Sequence, residues 1–242
     1  MARALVAALL AFAAVLAAPA GAAEARFRVL VFTKTEGYRH ESIPAGIAAV
    51  RSLGARHGFA VDATEDGARF TDRRLRRYAA VVFLNSTEDV LDAAQQRAFR
   101  RYIRRGGGFA GVHAASDTEH DWPWYRRLVG ARVYNHPAVQ PATIRVVDRR
   151  HPSTRTLPRR WQRTDEWYDF YAQPRRGVHV LALLDESTYS GGGMGARHPI
   201  AWYRHFDGGR SWYTALGHTT ESYAEPLFRA HLLGGIRWAA GR

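Results

Sequence analysis

Four short apolar runs alternate with helix-patterned segments along the first half of this chain, and that alternation constrains the fold more than any other feature. Residues 27–33, 59–64, 78–85 and 108–112 are rich in β-branched, aromatic and small side chains and carry few charges. Such runs suit strands of a parallel sheet buried on both faces, where neither face needs to be polar. Between them the spacing predicts a helix over 42–58, with Ser42 as its cap, Pro44 in its first turn and Ile43, Ile47, Val50 and Leu53 recurring near helical period. A short helix is predicted over 70–77, and an amphipathic one over 91–105 that carries Phe99, Tyr102 and Ile103 on one side and stops at Gly106-Gly107. Strands that alternate with helices are joined by right-handed crossovers. The expected class is therefore α/β: a doubly wound, mostly parallel sheet with helices on both faces. Beyond Asp117 the pattern loosens to a helix over 122–129, strands over 143–147, 178–184, 200–203 and 211–215, and a closing helix over 225–240, with 150–163 read as a Pro/Arg-rich excursion. Late strands so closely spaced predict an antiparallel extension at one sheet edge.

Residues 1–23 stand outside that pattern. Met1-Ala2-Arg3 precedes an Ala/Leu/Val/Phe run, and Pro19 to Ala23 offers small residues to a signal peptidase, so the segment reads as a signal peptide and 24–242 as one domain. The expected location is secreted or periplasmic, with no stable membrane span after cleavage; an uncleaved anchor is the competing reading. Cysteine is absent, which excludes a disulfide scaffold, a thiol nucleophile and any Cys-based zinc site. A formal charge of +13 would ordinarily point to nucleic acid. Here Lys34 is the only lysine, and the arginines fall in scattered pairs such as Arg73-Arg74 and Arg104-Arg105 on expected outer helix faces. That distribution reads as a solvated surface, so no nucleic-acid partner is expected.

Ligands of open α/β sheets bind beyond the carboxyl ends of the strands, so the polar residues after each strand are the ones to collect. Tyr38, Arg39, His40 and Glu41 follow the first strand, Asn85, Ser86 and Thr87 the third, and His113, Ser116, Asp117, Thr118 and Glu119 the fourth. Gly111-Val112-His113-Ala114-Ala115 has the shape of a nucleophile elbow but puts an imidazole where a hydroxyl or thiol would sit. Chemistry at that position is acid, base or metal ligation. Asn135-His136-Pro137 and Asp165-Glu166-Trp167-Tyr168-Asp169 add a histidine and carboxylates among aromatics, whose shielding is expected to raise a carboxyl pKa. His218 follows a late strand. The candidate catalytic residues are His113, Asp117 and Glu166; the candidate substrate contacts are Tyr38, Arg39, His40, Glu41, His136, Asp165, Tyr168 and His218. Helix capping competes as the role of His40 and His113, and ion pairing with arginine as the role of Asp165 and Glu166. His40, His113, His136 and His218 could converge with Asp117 or Glu166 on a divalent metal such as zinc, although no H-E-x-x-H pattern or other short-spaced motif is present. The Gly-rich run 190–195 follows no strand-to-helix pattern and reads as a flap or a surface loop, not a nucleotide cradle.

Four segments taken in order carry a resemblance: Thr33-Lys34-Thr35-Glu36-Gly37-Tyr38-Arg39-His40, the run from Gly106 through His113 to Thr118, Asp165-Glu166-Trp167-Tyr168, and the run from Gly209 to His218. Together they resemble the ThuA-like, or trehalose-utilisation, family over nearly all of 24–242. The resemblance implies a flavodoxin-like fold similar to class I glutamine amidotransferases, whose elbow carries a cysteine; with His113 in that place, glutaminase activity is not implied. It further implies a role in using trehalose or related disaccharides and glycosides, beside a sugar dehydrogenase that makes a 3-keto sugar. In such a sugar the ketone acidifies the C2 proton, which His113 or Glu166 would remove while the C1 substituent leaves. Asp117 would orient His113; His40, His218 or a metal would polarise the ketone; Tyr38, Trp167 and Tyr168 would stack on the ring. The alternative function is a non-catalytic carbohydrate-binding module.

Overall fold

In a computed structural model, which describes residues 25–174 and 177–242, the alternation of the first half becomes four strands joined by helical crossovers. The expected signal peptide, 1–23, lies outside the described residues. Strands β1 (Phe27–Phe32), β2 (Phe59–Thr64), β3 (Ala80–Leu84) and β4 (Gly108–Val112) are connected by α1 (Ile43–His57), α2 (Asp72–Leu75) and α3 (Ala93–Arg104). The chain continues through α4 (Pro123–Val129), β5 (Val133–Asn135), β6 (Gln140–Val146), β7 (Arg160–Asp165), β8 (Asp169–Phe170), β9 (His179–Asp185), β10 (His198–Phe206), β11 (Gly209–Thr214) and α5 (Pro226–Ala239). Among the described residues the main sheet has nine strands in the order β2-β1-β3-β4-β11-β10-β9-β6-β7. The run from β2 to β11 is parallel, and the run from β11 to β7 is antiparallel at every step, which is the expected extension. β5 and β8 form a separate antiparallel pair.

Alternation along the central strands sends neighbouring side chains to opposite faces. Phe83 and Phe109 point to the face covered by α3 and α4, their rings 5.4 Å and 5.8 Å from that of Tyr125. Trp212 points to the other face, its ring 5.0 Å from that of His231 on α5. The sheet is thus covered on both sides, and the chain's reversal between β2 and β3, which flank β1, opens a crevice at the carboxyl ends of the parallel strands.

Two local expectations change. Ser42 precedes α1 but makes no side-chain capping bond; its hydroxyl accepts from Asn85 Nδ2 at 2.9 Å and so ties α1 to the end of β3. N-terminal caps do form on α2, where Thr71 Oγ1 accepts from Arg74 N at 3.3 Å, and on α3, where Asp92 accepts from Ala94 N and Gln95 N while Gln95 Oε1 accepts from Asp92 N, a box worth about 1 kcal/mol. The excursion expected over 150–163 ends in strand β7, with Trp161, Arg163 and Asp165 facing inward. Its alternation is hard to see in the sequence because one inward residue is an arginine, stacked over Trp161 and Phe228 at 4.9 Å and 4.8 Å.

Gly235 on α5 faces Trp212, where an added Cβ would lie 2.3 Å from the indole. Helix propensity alone would make Gly235→Ala stabilising by about 1 kcal/mol. Overpacking against the buried indole is expected to win, for a net loss of about 1–3 kcal/mol. Urea unfolding decides the sign, and a gain in stability would contradict this helix-to-sheet contact.

Candidate functional site

His113 sits at the end of β4 with φ +50, a left-handed conformation that costs a non-glycine residue about 1–3 kcal/mol. Asn85, Glu88 and Glu119, in the loops after β3 and β4, share positive φ, so the strain is concentrated at one end of the sheet. Reciprocal backbone bonds hold these loops together: Glu88 N donates to Asp117 O at 2.8 Å, and Glu119 N to Glu88 O at 3.0 Å. The turn aims the His113 ring so that Nδ1 lies 2.7 Å from Ala215 O, just past β11. A carbonyl only accepts, so Nδ1 carries a proton; Nε2 then offers a lone pair when the ring is neutral and a second N–H, toward Glu166, when the ring is charged. Tyr168 stacks on the ring at 4.2 Å and fixes its plane.

Glu166 is the hub opposite. Its Oε2 is 3.3 Å from His113 Nε2 and 3.2 Å from His218 Nδ1, while Oε1 is 3.0 Å from His136 Nδ1. His113 Nε2 and His218 Nδ1 are themselves 3.2 Å apart. His40 closes the group, its ring centroid 4.9 Å from that of His113 and 5.1 Å from that of His218. Burial pulls the Glu166 carboxyl up, but bonding to His113 and His218 outweighs it and holds the group well below the usual carboxylate range. This reverses the expectation of a raised carboxyl: the aromatics do shield it, yet the imidazoles decide its charge. Burial likewise pulls His218 down, and the Glu166 carboxylate raises it on balance. Burial, reinforced by His113 and His218, pushes His40 down to about 2 and keeps it neutral.

Electron-rich atoms of His40, His113, Glu166 and His218 all lie within 4.8 Å of one another, a set that could hold a metal ion. Two observations fit a cation of the zinc class. His40 Nδ1 is buried with no hydrogen-bond partner, and the His113 Nδ1–H is engaged by a backbone carbonyl, the usual outer support of a ligating imidazole.

The cluster opens into a cavity of about 620 Å³, within the range of small-molecule sites. Tyr38, His40, Asp117, His136, Glu166, Tyr168 and His218 line it. Asp117 bonds His120 Nε2 at 2.8 Å, so it does not orient His113; the Ala215 carbonyl does. Asp165 does not line the cavity. Fully buried, it accepts from Gly217 N at 2.9 Å and His218 N at 3.0 Å and faces Arg163 Nη2 at 3.1 Å, which makes it a positioning residue for the His218 loop. Exposed Arg39 pairs with Glu65 at 2.7 Å, and neither it nor exposed Glu41 lines the cavity. Trp167 is buried and donates to Gln140 O at 2.9 Å, away from the lining. The Gly-rich run is a pinned loop: Glu186 accepts from Met194 N and Gly195 N and meets His198 Nδ1 at 2.8 Å.

Sequence reasoning missed Arg132, Tyr134 and Tyr171, which also line the cavity. The β5–β8 pair carries them there and sets the two tyrosine rings 4.9 Å apart. Their signal was the exposed aromatic beside each short strand, too brief to register as a period.

The fold and the site together define a flavodoxin-like α/β protein with an imidazole–carboxylate centre beyond its parallel strands. The chain belongs to the ThuA family: the family model described as trehalose utilisation matches residues 28–239. It is similar to a ThuA-like protein from Bacteroides uniformis ATCC 8492, 25% identical, with 92% of this chain and 95% of that one covered at a TM-score of 0.76. A ThuA-like protein from Parabacteroides merdae ATCC 43184 is 21% identical over 88% and 90% of the two chains, with a TM-score of 0.74. A candidate GMP synthase protein from Thermoplasma acidophilum shares the fold at 11% identity and a TM-score of 0.56, over 89% of this chain and 94% of that one. Among curated proteins no sequence matches.

Replacing Asp165 with Ala removes the acceptor of two loop N–H groups and the closest carboxylate to buried Arg163. Chemical denaturation is expected to show a loss of about 3 kcal/mol. A loss below about 1 kcal/mol, in the range of an exposed ion pair, would contradict the positioning role.

Proposed function

We propose that this chain is an exported ThuA-family protein that acts on a disaccharide or glycoside already oxidised at sugar C3. The observation that carries this reading is His113 Nε2, oriented by the Ala215 carbonyl and set directly behind Glu166 and His218, whose side chains line the cavity. His113 Nε2 accepts the proton at C2, which the neighbouring ketone has made acidic. The electrons freed at C2 form a C1=C2 bond as the C1–O bond breaks, and the departing oxygen takes a proton from His218. Net, one proton moves from C2 to the leaving alcohol, and no oxidant is consumed. Glu166, held ionised, is a poor base; its charge raises the proton affinity of His218, which suits it to carry the proton that the leaving group takes. A sugar dehydrogenase supplies the ketone. No helix among the described residues is long and apolar enough to cross a membrane. Export rests on the N-terminal sequence, and the mass of the secreted mature protein tests it.

The orphaned His40 Nδ1 favours a second arrangement of the same site, in which His40, His113, Glu166 and His218 hold a zinc-class cation. Such an ion would supply Lewis-acid polarisation of the ketone. His136, with Nδ1 3.0 Å from Glu166 Oε1 and its ring partly exposed to the cavity, is then the imidazole left for proton transfer. Native mass spectrometry separates the arrangements: the metal form predicts one divalent ion per chain, lost on His218→Ala, and the metal-free form predicts none in either protein.

His113→Ala, which removes the base, and Glu166→Gln, which removes the charge that raises the proton affinity of His218, are each expected to lower turnover of 3-keto-trehalose at least about a hundredfold. Full turnover in both variants contradicts the mechanism. Tight binding of the sugar with no turnover by the wild type would favour the carbohydrate-binding module instead.

A further inference from the structure

Arg132 is left over once the charges of the cavity are paired. Asp117 is answered by His120, and Glu166 by His113, His136 and His218. Among the described residues Arg132 has no carboxylate partner: its guanidinium lies over the Tyr171 ring at 5.4 Å, and its Nε is buried without a hydrogen-bond partner. Tyr171 N donates to Arg132 O at 3.1 Å, which sets the backbone of Arg132 beside the ring its guanidinium stacks on, at the cavity wall. A guanidinium whose Nε is buried with its donor unmet gains when a ligand completes its hydrogen bonding.

We propose that Arg132 forms an anion subsite that takes a carboxylate of the substrate, so that the substrate class is an acidic glycoside bearing a uronic acid. The inference rests on the sugar reading above and extends it. A guanidinium fork matches a carboxylate in bidentate geometry, and stacking on Tyr171 organises it before the ligand arrives. Charge selects the anion. Asp117 and Glu166 line the same cavity, so a phosphate dianion meets two carboxylates for one unpaired cation, whereas a monoanion neutralises Arg132 alone. The exposed ring of Tyr134, 4.9 Å from Tyr171, extends the apolar wall beside the fork for a sugar face.

Calorimetric titration of the full chain and of Arg132→Gln tests this with four probes: a glucuronic-acid-containing disaccharide, its neutral glucose counterpart, the corresponding 6-phosphate, and cyclohexanecarboxylate. The uronic acid is expected to bind about tenfold tighter than the neutral sugar, the worth of one charge-assisted contact. That preference falls within about twofold in Arg132→Gln, weakens with added salt in the wild type, and is partly restored in Arg132→Lys. Unchanged circular dichroism and melting of the variants exclude misfolding as the cause. No preference for the uronic acid, or one that survives Arg132→Gln, overturns the subsite, and preference for the phosphate overturns its assignment to a carboxylate. Arg132-dependent binding of cyclohexanecarboxylate with no sugar bound keeps the anion subsite and removes the sugar reading. Failure of all four probes overturns both.

Discussion

The carboxylate of Asp165 is the interaction on which the site depends. β7 is the last strand of the main sheet, with β10, β9 and β6 between it and β11, yet Asp165 at its end takes the amides of Gly217 and His218 in the loop beyond β11. One buried acceptor thereby joins the antiparallel extension to the parallel half. The same junction puts Glu166, the next residue, against His113 and His218. Arg163 answers the charge from the same strand, with a further bond to Ser222 Oγ at 2.6 Å, so the ionised group is not left unpaired.

Everything at the centre follows from holding several polar groups where water cannot relieve them. The strained turn at His113 and its companions after β3 cost stability, and the locked loop pair around Glu88 and Glu119 keeps them in place. In return the rings have one orientation each. Buried, crowded His40 stays neutral, the Glu166 carboxyl stays ionised, and His218 gains proton affinity from it. Groups of different charge within a few bonds of one another are what proton transfer or metal ligation needs, and the neutral His40 with an unmet nitrogen is the member a plain ion-pair network would not require.

Much of this was legible in the sequence. The parallel half was readable because its buried strands have no polar face to hide, and His40, Glu166, His218, His136, Tyr168 and Tyr38 all line the crevice from near strand ends, with His113 buried behind Glu166. Less was legible where long-range pairing decides a role. Asp165 and Glu166 are adjacent and chemically alike, and only the pleat of β7 turns one into the interior and leaves the other facing the cavity. Arg39 and Glu41 flank His40 in the chain, but their side chains leave the crevice for the surface. β7 itself escaped notice because its inward position 163 is an arginine whose charge is spent on Asp165 and aromatic faces. Arg132 was one arginine among many until the β5–β8 pair set it on the cavity wall.

The central claim is that the fold holds His113 with its Nδ1 proton on the Ala215 carbonyl and its Nε2 turned to the Glu166–His218 pair. Long-range proton–nitrogen correlation spectra of the histidine rings in labelled protein at neutral pH test it most directly, with His113→Gln supplying the assignment. The account predicts that the His113 ring is protonated at Nδ1, with or without a metal on the other nitrogen. A neutral His113 ring protonated only at Nε2 would contradict it.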